Sequence, residues 1–484
     1  MEQTISRSAG ANEARLRERL GACFDIVYKR GVCGGRPVLF VCCDGLTDAR
    51  MIAANAVRPL LAYDGALPAE NTLGFVGGVL LTGAELKIES DFDDAVDELL
   101  RGSLLIFFDG EAACLVFGAQ HYPQRAVGEP DDEVQEFGSR EGFVETLKTN
   151  VTLVRRRLCT PDFTFETLTL GTTSHTRVAV CYLRGRVSQS VLDEVRRRLG
   201  TCRFDTVVGA NYLRKTLDTR RRSAFTMVGQ TQRPDTFCAK LAEGKVGVLV
   251  DGTPFALVVP RLFIENFQTV DDYLNRPYFA TLMRLVRLLA FLTGAFLPGV
   301  FVAVGLFHQE LLPDDMLYNL VVMESNTLFD LTTEALLIHF VYEAVREAGL
   351  RMPKSVGHAV SIVGALVIGD AAVTAGLIGA PMLIIVALTA ICSLVCSDLY
   401  QPISVLRLVF ILIGGAAGLF GITAGAAVLL FNLASVTDYG VPFLAPFSPL
   451  YPRLLRDTFP RADVTDLAKR LFRVDTLLKG ESRG

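Results

Sequence analysis

Long stretches with almost no charged residues constrain the fold of this chain more than any other feature. Leu288–Phe307, Ser355–Ser397 and Leu408–Thr437 all lie in the carboxy-terminal part. The first is twenty residues without a single charge, enough for a helix to cross a hydrocarbon layer of about 30 Å. With a mean hydropathy of +0.37, the chain is also more apolar than soluble proteins usually are. We therefore expect an α-helical transmembrane domain.

The second and third stretches are too long, or too rich in glycine, for one simple helix each. Asp370 and the sequence Gly379-Ala380-Pro381 divide the second into two predicted helices. The third, with GGAAGLFGITAGAA at its centre, predicts one long tilted helix or two short ones, and its small residues favour close helix packing. Leu328–Gly349, between the first and second stretches, is helical in period but polar, so it spans the membrane, re-enters it or lies on its surface.

The distribution of charge predicts the topology. Arg276, Arg284 and Arg287 precede the first stretch, whereas His308–Asp330 contains five acidic residues and no Lys or Arg. By the positive-inside rule, the amino-terminal half lies on the cytosolic side. The tail after Tyr451 has eight Lys or Arg against five acids, which also favours the cytosol. We expect an even number of crossings, four or six.

Composition excludes several classes of function. A net charge of −4 lacks the basic excess that nucleic-acid binding needs, so we expect no nucleic-acid partner. Eleven cysteines, an odd number and scattered, predict reduced and mostly buried thiols in a cytosol-like compartment. The first 25 residues lack the apolar stretch of a signal peptide.

The amino-terminal half contains an internal repeat. PVLFVCCDGLTDARMIAANAVRPL and RVAVCYLRGRVSQSVLDEVRRRL each read as a strand, a turn and an amphipathic helix, and each precedes a hairpin with a central Asp-Gly. We predict a multidomain protein: an α/β soluble half built from two βαββ-like repeats, followed by the transmembrane domain. In the hairpins, Asp109-Gly110 and Asp251-Gly252 predict type I′ turns rather than catalytic carboxylates.

The predicted domains follow from these patterns. They are a helical segment (1–30), a first α/β subdomain (31–135), a connecting helix (136–168), a second α/β subdomain (169–275), a membrane domain of four to six helices (276–440) and a cytosolic tail (441–484). The connecting helix is expected to begin near Glu141. Arg155, Arg156 and Arg157 at its end predict a solvated face or, alternatively, a contact for acidic lipid heads or a partner.

Signatures of catalysis and cofactor binding are missing from the sequence. There is no GxxxxGK[ST], no GxSxG and no HExxH, and the five histidines are far apart. We predict that the protein is not an enzyme and binds no cofactor or metal.

Several long motifs resemble the GerA-type family of spore germination proteins, the A-type components of germinant receptors. They are SREGFVETLKTNVTLVRRRL, GKVGVLVDGTPFALVVPRLFIENFQTVDDYLNRPYFATLMRLVR, LPGVFVAVGLFHQELLP and EAGLRMPKSVGHAVSIVGALVIGDAAVTAGLI, within a likeness from about Pro37 to Pro452. The resemblance implies an integral, multi-pass protein of the spore inner membrane, with its large amino-terminal domain on the cytosolic (core) side. It implies the A-type component of a nutrient germinant receptor, an oligomeric nutrient-gated ion channel that triggers germination by cation release. The implied partners are a transporter-like B subunit, a lipoprotein C subunit, further copies in a ring, expected to be a pentamer, and membrane lipids.

Ionisable residues in apolar segments are the candidates for ion movement, because charge in lipid is costly. Glu334, His339 and Glu343 recur at roughly helical spacing and predict a cation path, or else a solvated interfacial helix.

Five further residues in the apolar part carry narrower predictions. Asp370, with His358 on the same predicted helix, lines that path or forms a buried polar contact. Pro298 and Gly299 predict either a gating kink or simple helix packing. Arg407 is expected to snorkel to lipid phosphate.

Other functions compete with a role as a channel component. An accessory paralogue or a scaffold of the germination complex would have no ion pathway of its own. A secondary transporter would show inverted repeats and broken helices in the membrane half, whereas the repeat here lies in the soluble half.

Overall fold

Two five-stranded antiparallel sheets form the amino-terminal half of the computed structural model, and long helices form the rest. The structure describes residues 4–21, 23–68, 70–81, 84–121, 133, 138–219, 223–352, 369–452, 454–462 and 474–479. The predicted His358 lies outside these residues.

The first sheet has the strand order β1-β2-β4-β5-β3. Its strands are β1 (Ile26–Cys33), β2 (Arg36–Cys43), β3 (Leu86–Glu89), β4 (Ser103–Phe108) and β5 (Cys114–Gly118). Its helices are α1 (Ala9–Leu20), α2 (Ala49–Ile52), α3 (Arg58–Leu61), α4 (Thr72–Phe75) and α5 (Phe92–Leu100), with π-helical turns at Ala53–Val57 and Val76–Leu80. Every residue of β4 is buried, because helices cover both faces of this sheet.

The second sheet has the equivalent order, β6-β7-β9-β10-β8. Its strands are β6 (Phe163–Leu170), β7 (Thr176–Leu183), β8 (Gly229–Thr231), β9 (Val246–Val250) and β10 (Ala256–Val259). Its helices are α6 (Leu147–Arg157), α7 (Gln189–Gly200), α8 (Ala210–Leu217) and α9 (Pro234–Ala242). Each sheet has five strands, two more than the βαββ-like pattern predicts.

The two Asp-Gly hairpins differ from the predicted type I′ turns. Gly110 and Gly252 have positive φ angles of 95° and 83°, but the preceding aspartates do not, and type I′ requires both. Five residues, not two, separate the paired strands. The Asp109 carboxylate accepts the first backbone N–H of α1 at 3.1 Å, and Asp251 accepts the first N–H of α6 at 2.9 Å. Both aspartates therefore cap helices.

The helix between the sheets begins at Leu147, later than predicted. Glu141 lies outside the helix and binds Arg156 and Arg157. The prediction of a solvated arginine face is wrong for Arg155. Its guanidinium is buried and pairs with Asp25, at the start of the first sheet, at 2.9 Å. The two sheets share one hydrophobic core around this ion pair.

The carboxy-terminal half consists mainly of helices. They are α10 (Asp271–Leu274), α11 (Pro277–Phe307), α12 (Asp314–Glu324), α13 (Leu331–Arg351), α14 (Ala380–Val395), α15 (Tyr400–Ser435) and α16 (Val474–Lys479). Short 3-10 turns lie at Phe263–Phe267, Gln309–Leu311, Ser397–Leu399 and Leu454–Asp457, and a small hairpin pairs β11 (Thr437–Asp438) with β12 (Val441–Pro442). Residues 369–374 are also helical.

Two helical segments of the part described are long and apolar enough to cross a membrane, Pro277–Phe307 and Ser397–Ser435. The apolar helix Ala380–Val395 is shorter.

Helix α15 reverses its direction at Gly418, which has φ 60° and ψ −153°. Glycine reaches this conformation without a Cβ clash. The second half of α15 runs back along the first: a Cβ on Gly425 would lie 2.9 Å from the ring of Phe410, and Ile403 and Leu433 share one core. Of the two sequence alternatives for this stretch, the structure has two short helices in a hairpin.

After this hairpin the chain returns to the α/β half. Asp438 forms a buried ion pair with Arg198 of α7, and the Tyr439 hydroxyl donates to the Leu217 carbonyl at 2.8 Å. The rings of Phe263 and Phe443 meet with centroids 5.7 Å apart. The core of the second sheet therefore continues into the helical half.

Candidate functional site

The candidate site is the set of polar side chains along α13 and on the helices packed against it. Asp330 caps α13 by accepting N–H groups of its first turn at 3.1 and 3.3 Å. Glu334, His339 and Glu343 follow within the next three turns. Nine residues of α-helix correspond to about 14 Å, so Glu334 and Glu343 act at separate levels of the helical half.

Glu334 connects α13 to α14. Its side chain is only 1% exposed, and Oε1 accepts the backbone N–H of Gly379 at 2.5 Å. Gly379 is the residue that precedes α14, so the carboxylate lies at the amino-terminal end of that helix, where the helix dipole favours negative charge. Glu334 therefore holds two helices together within a single chain.

His339 lies inside the helical half and is 1% exposed. Its Nδ1 donates to the Ala335 carbonyl at 2.8 Å, since a carbonyl oxygen can only accept. In the neutral ring Nε2 is then an acceptor, and it has no hydrogen-bond partner among the residues described.

Glu343 connects α13 to the start of α15. Its carboxylate accepts the Tyr400 hydroxyl at 2.6 Å and also the Ser404 hydroxyl. Arg346 lies 3.8 Å from the same carboxylate, and its guanidinium stacks over the Tyr400 ring, 3.4 Å from the centroid. Glu343 is less buried than Glu334, with 29% of its side chain exposed.

Asp370 is separate from these three residues. It lies in the helical segment 369–374, and its side chain is exposed.

Pro298 and Gly299 lie inside α11 at its contact with α15. Both are buried, and a Cβ on Gly299 would lie 2.4 Å from the Phe410 carbonyl oxygen. A Cβ on Gly414 would in turn lie 2.4 Å from the Gly299 carbonyl oxygen. The two backbones therefore approach more closely than any residue with a side chain would allow.

Arg407 does not reach out to lipid phosphate as the sequence predicted. It is 1% exposed, and its Nε donates to the Gly294 carbonyl of α11 at 2.9 Å. Its Nη2 donates to the Thr389 carbonyl of α14 at 3.2 Å and to the Ser393 hydroxyl. These acceptors belong to α11 and α14, inside the helical half. The side chain therefore extends toward them and not toward the membrane surface.

The charge of Arg407 has no carboxylate in direct contact among the residues described. All its hydrogen-bond acceptors are neutral, and Nη1 lacks a partner within the same set. Guanidinium groups stay protonated, so this is a fixed positive charge in a low-dielectric environment. In addition to Arg346, the helical half thus places the fixed charge of Arg407 within electrostatic reach of Glu343 and His339.

Charged residues also hold the start of α11 against α10 and against the segment that follows α15. Arg284 is fully buried and contacts Asp272 at 3.3 Å and Asp457 at 3.1 Å, while Arg287 contacts Asp272 at 2.8 Å. Phe291 of α11 lies in the core of the second sheet, so a movement of α11 would also act on that core.

A second buried network lies beside this connection. Lys240 and Lys245 both bind Glu265. Burial alone would raise the pKa of Glu265, but the two ammonium groups hold it well below its usual range.

Over the described ranges, no group of three or more His, Cys, Asp or Glu side chains is arranged to hold a metal ion. The eleven cysteines are free thiols, most of them buried. What the arrangement offers is charge placed between helices.

Comparisons with known proteins cover nearly the whole chain. The Bacillus/Clostridium GerA spore germination protein family matches residues 14–472. Spore germination protein KA of Bacillus subtilis (strain 168) is 34% identical over 464 residues, covering 94% of this chain and 85% of that protein. The uncharacterized membrane protein YfkQ of the same strain is 31% identical over 484 residues, covering 97% and 92%.

A solved structure is also similar to the amino-terminal half. It is the N-terminal domain of the A subunit of the Bacillus megaterium spore germinant receptor GerK3, at 25% identity and a TM-score of 0.42, covering 54% of this chain and 97% of that one.

Proposed function

The chain belongs to the GerA family of spore germination proteins, and from this premise we propose that it acts as the A-type subunit of a nutrient germinant receptor. The observation that carries the proposal is the extent of the family match, which includes both the α/β half and the helical half. A relative that shared only one half would not support the same role for the whole chain.

The proposed activity is a nutrient-gated ion channel that starts germination by releasing cations. Three ionisable residues of α13, Glu334, His339 and Glu343, support it, because ionisable groups among apolar helices mark ion pathways. Each carboxylate also holds a neighbouring helix, so a shift of α13 would change the environment of both. Asp370, exposed on its own segment, is proposed to face the path between neighbouring copies of the chain.

The proposed setting is the spore inner membrane, with the α/β half on the cytosolic (core) side. The return of the chain from α15 to α7 supports an even number of crossings, four or six. We also propose that the domains end at residues 30, 135, 168, 275 and 440. The proposed partners are further copies of this chain in a ring, which we expect to be a pentamer, together with B and C subunits.

We also propose that the two sheets arose by internal duplication. Equal strand order is one support, and paired local contacts are another. Asn12 in α1 accepts the Ser6 N–H and donates to the Ser6 carbonyl, and Asn150 in α6 makes the same two bonds with Val144. The repeat would then include α1 and α6, which lie outside the βαββ-like pattern.

An accessory paralogue without channel activity is the second candidate. The similarity to YfkQ, which is described only as an uncharacterized membrane protein, supports this second candidate. Deletion of the gene separates the two candidates: a receptor subunit is required for the response to at least one amino acid, sugar or nucleoside. Planar-bilayer recording of the purified oligomer separates a channel from a scaffold.

Substitution of the carboxylates tests the ion path. We expect Glu334→Gln and Glu343→Gln each to reduce nutrient-triggered potassium release from spores, because an amide keeps the shape and loses the charge. Glu347→Gln is the matched control, since Glu347 lies on the same helix but is exposed and pairs with Arg351. Unchanged release by both variants, at normal protein level, would refute the path.

A further inference from the structure

The backbone hydrogen bonding of α11 is interrupted at Pro298. Pro298 lies inside this 31-residue helix, and proline has no backbone N–H. The carbonyl four residues earlier therefore loses its helical donor, and that carbonyl belongs to Gly294. In an apolar environment an unsatisfied backbone carbonyl is costly, so another group must supply the hydrogen bond.

Arg407 supplies it. Its Nε donates to the Gly294 carbonyl oxygen at 2.9 Å, and Gly294 has no side chain that would block the approach from α15. The same guanidinium donates through Nη2 to Thr389 and Ser393 of α14. One side chain thus joins α15 to the gap in α11 and to a third helix.

The planar shape of the guanidinium matters here. It presents several N–H groups in fixed directions, whereas a lysine ammonium is a compact point charge on a flexible stem. Because the acceptors lie on two different helices, an ammonium at the same place cannot reproduce the set. Phe410 and Gly414, one and two turns further along α15, pack against Gly299, so Arg407 starts a continuous contact between the two helices.

We propose that Arg407 is a positioning residue that completes the hydrogen bonding interrupted by Pro298 and thereby fixes α11 against α14 and α15. Resting on the function proposed above, the contact sets the position of α11 before nutrient arrives, since α11 also packs into the core of the second sheet through Phe291. Pro298 and Arg407 act as one unit, although 108 residues lie between them in the sequence.

A double-mutant cycle on the purified full-length protein in detergent tests the linkage. Pro298→Ala restores the backbone N–H and with it a donor for Gly294. We expect Arg407→Leu to lower Tm substantially in the native chain and by about half as much in the Pro298→Ala background, because one of its acceptors no longer needs it. Equal losses in the two backgrounds would overturn the proposal.

Milder variants keep the test informative if Arg407→Leu does not fold. Arg407→Lys retains the charge, and Ser393→Ala removes one acceptor and leaves Gly294 paired. We expect the Tm loss from Arg407→Lys to shrink in the Pro298→Ala background and the loss from Ser393→Ala to stay the same. A Tm of Arg407→Lys equal to that of the native protein would also overturn the proposal, since a point charge would then suffice.

Spores provide a readout that a purely structural role would not move. At normal protein level, Arg407→Lys is expected to shift the nutrient concentration for half-maximal potassium release, and an unshifted value would refute the role in setting the resting position. If the native chain supported no nutrient-triggered release at all, the proposed function would fail, while the thermal cycle would still decide whether Arg407 and Pro298 are coupled.

Discussion

The buried ion pair between Arg155 and Asp25 makes the stability of the α/β half open to a direct test. Arg155 Nε and Nη2 bind the two carboxylate oxygens of Asp25 at 2.9 and 3.1 Å, and Nη1 donates to the Phe163 carbonyl at 3.0 Å. Only 1% of the Arg155 side chain and 4% of the Asp25 side chain are exposed. Arg155→Met keeps the length of the side chain and removes its charge.

The expected loss is large because it leaves a carboxylate buried without a partner. Breaking a buried pair in this way costs about 3–5 kcal/mol. At roughly 2–4 °C of Tm per kcal/mol for a domain of this size, the expected shift is ~6–20 °C. Arg156→Met, one residue further along, is the matched control: its partner Glu141 is a third exposed and also binds Arg157. Partly exposed pairs contribute about 0–1 kcal/mol, or less than ~4 °C.

The chain supplies its own reporter for the measurement. It has no tryptophan, but Cys23, Cys181 and Cys238 are buried free thiols in the core that contains the ion pair. A thiol-reactive fluorophore, added during a temperature ramp of the full-length protein in detergent, reports when this core opens. If Arg155→Met shifted the transition no more than Arg156→Met, the assignment of stability to the buried pair would be wrong.

Three further predictions concern other parts of the chain. Asp251→Ala removes the carboxylate that caps α6 and should destabilise the protein by about 0.5–2 kcal/mol, measured as a lower Tm; no change would mean that the cap is replaceable. The pKa of Glu265 is lowered, so its carboxylate stabilises the fold at neutral pH, and this contribution is lost as the pH falls below about 4.3. Glu265→Gln should therefore lower Tm at pH 7 and make Tm fall less steeply in acid. Parallel profiles of Tm against pH for the variant and the native protein would contradict this. Gly299→Ala should cost about 1–3 kcal/mol by forcing α11 and α15 apart, whereas Gly10→Ala in α1, with only a distant contact, should not lower Tm; equal Tm values would refute the close packing.

The sequence predicted the central elements of each sheet better than the edges. Apolar runs around Asp-Gly mark β4–β5 and β9–β10, and both pairs are buried. The edge strand β1, IVYKRGVC, alternates irregularly between exposed and buried residues, so it carries no clear period. The roles of Asp109 and Asp251 were also invisible, because each carboxylate caps a helix about a hundred residues earlier in the chain.

For the candidate site, too, the sequence predicted local features better than contacts between distant elements. That Glu334, His339 and Glu343 lie on one helix follows from their spacing, since helical period is a local property. Which helix each one contacts depends on the packing of α14 and α15, which no local pattern encodes. Glu334 contacts the start of α14 and Glu343 contacts the start of α15, because nine residues of helix place the two carboxylates on opposite sides of α13.

Arg407 shows why a rule applied to one residue at a time fails inside a membrane domain. An arginine at the edge of an apolar stretch snorkels when nothing nearby needs a donor. Here a proline on another helix has left the Gly294 carbonyl without a helical N–H donor. A hydrogen bond to that carbonyl stabilises the protein more than a contact of Arg407 with the membrane surface would. A kink at Pro298 and a lipid contact of Arg407 both follow from rules that treat each residue separately. Their chemistry is complementary, one lacking a donor and the other carrying several, so prolines and arginines in apolar segments are better interpreted as pairs.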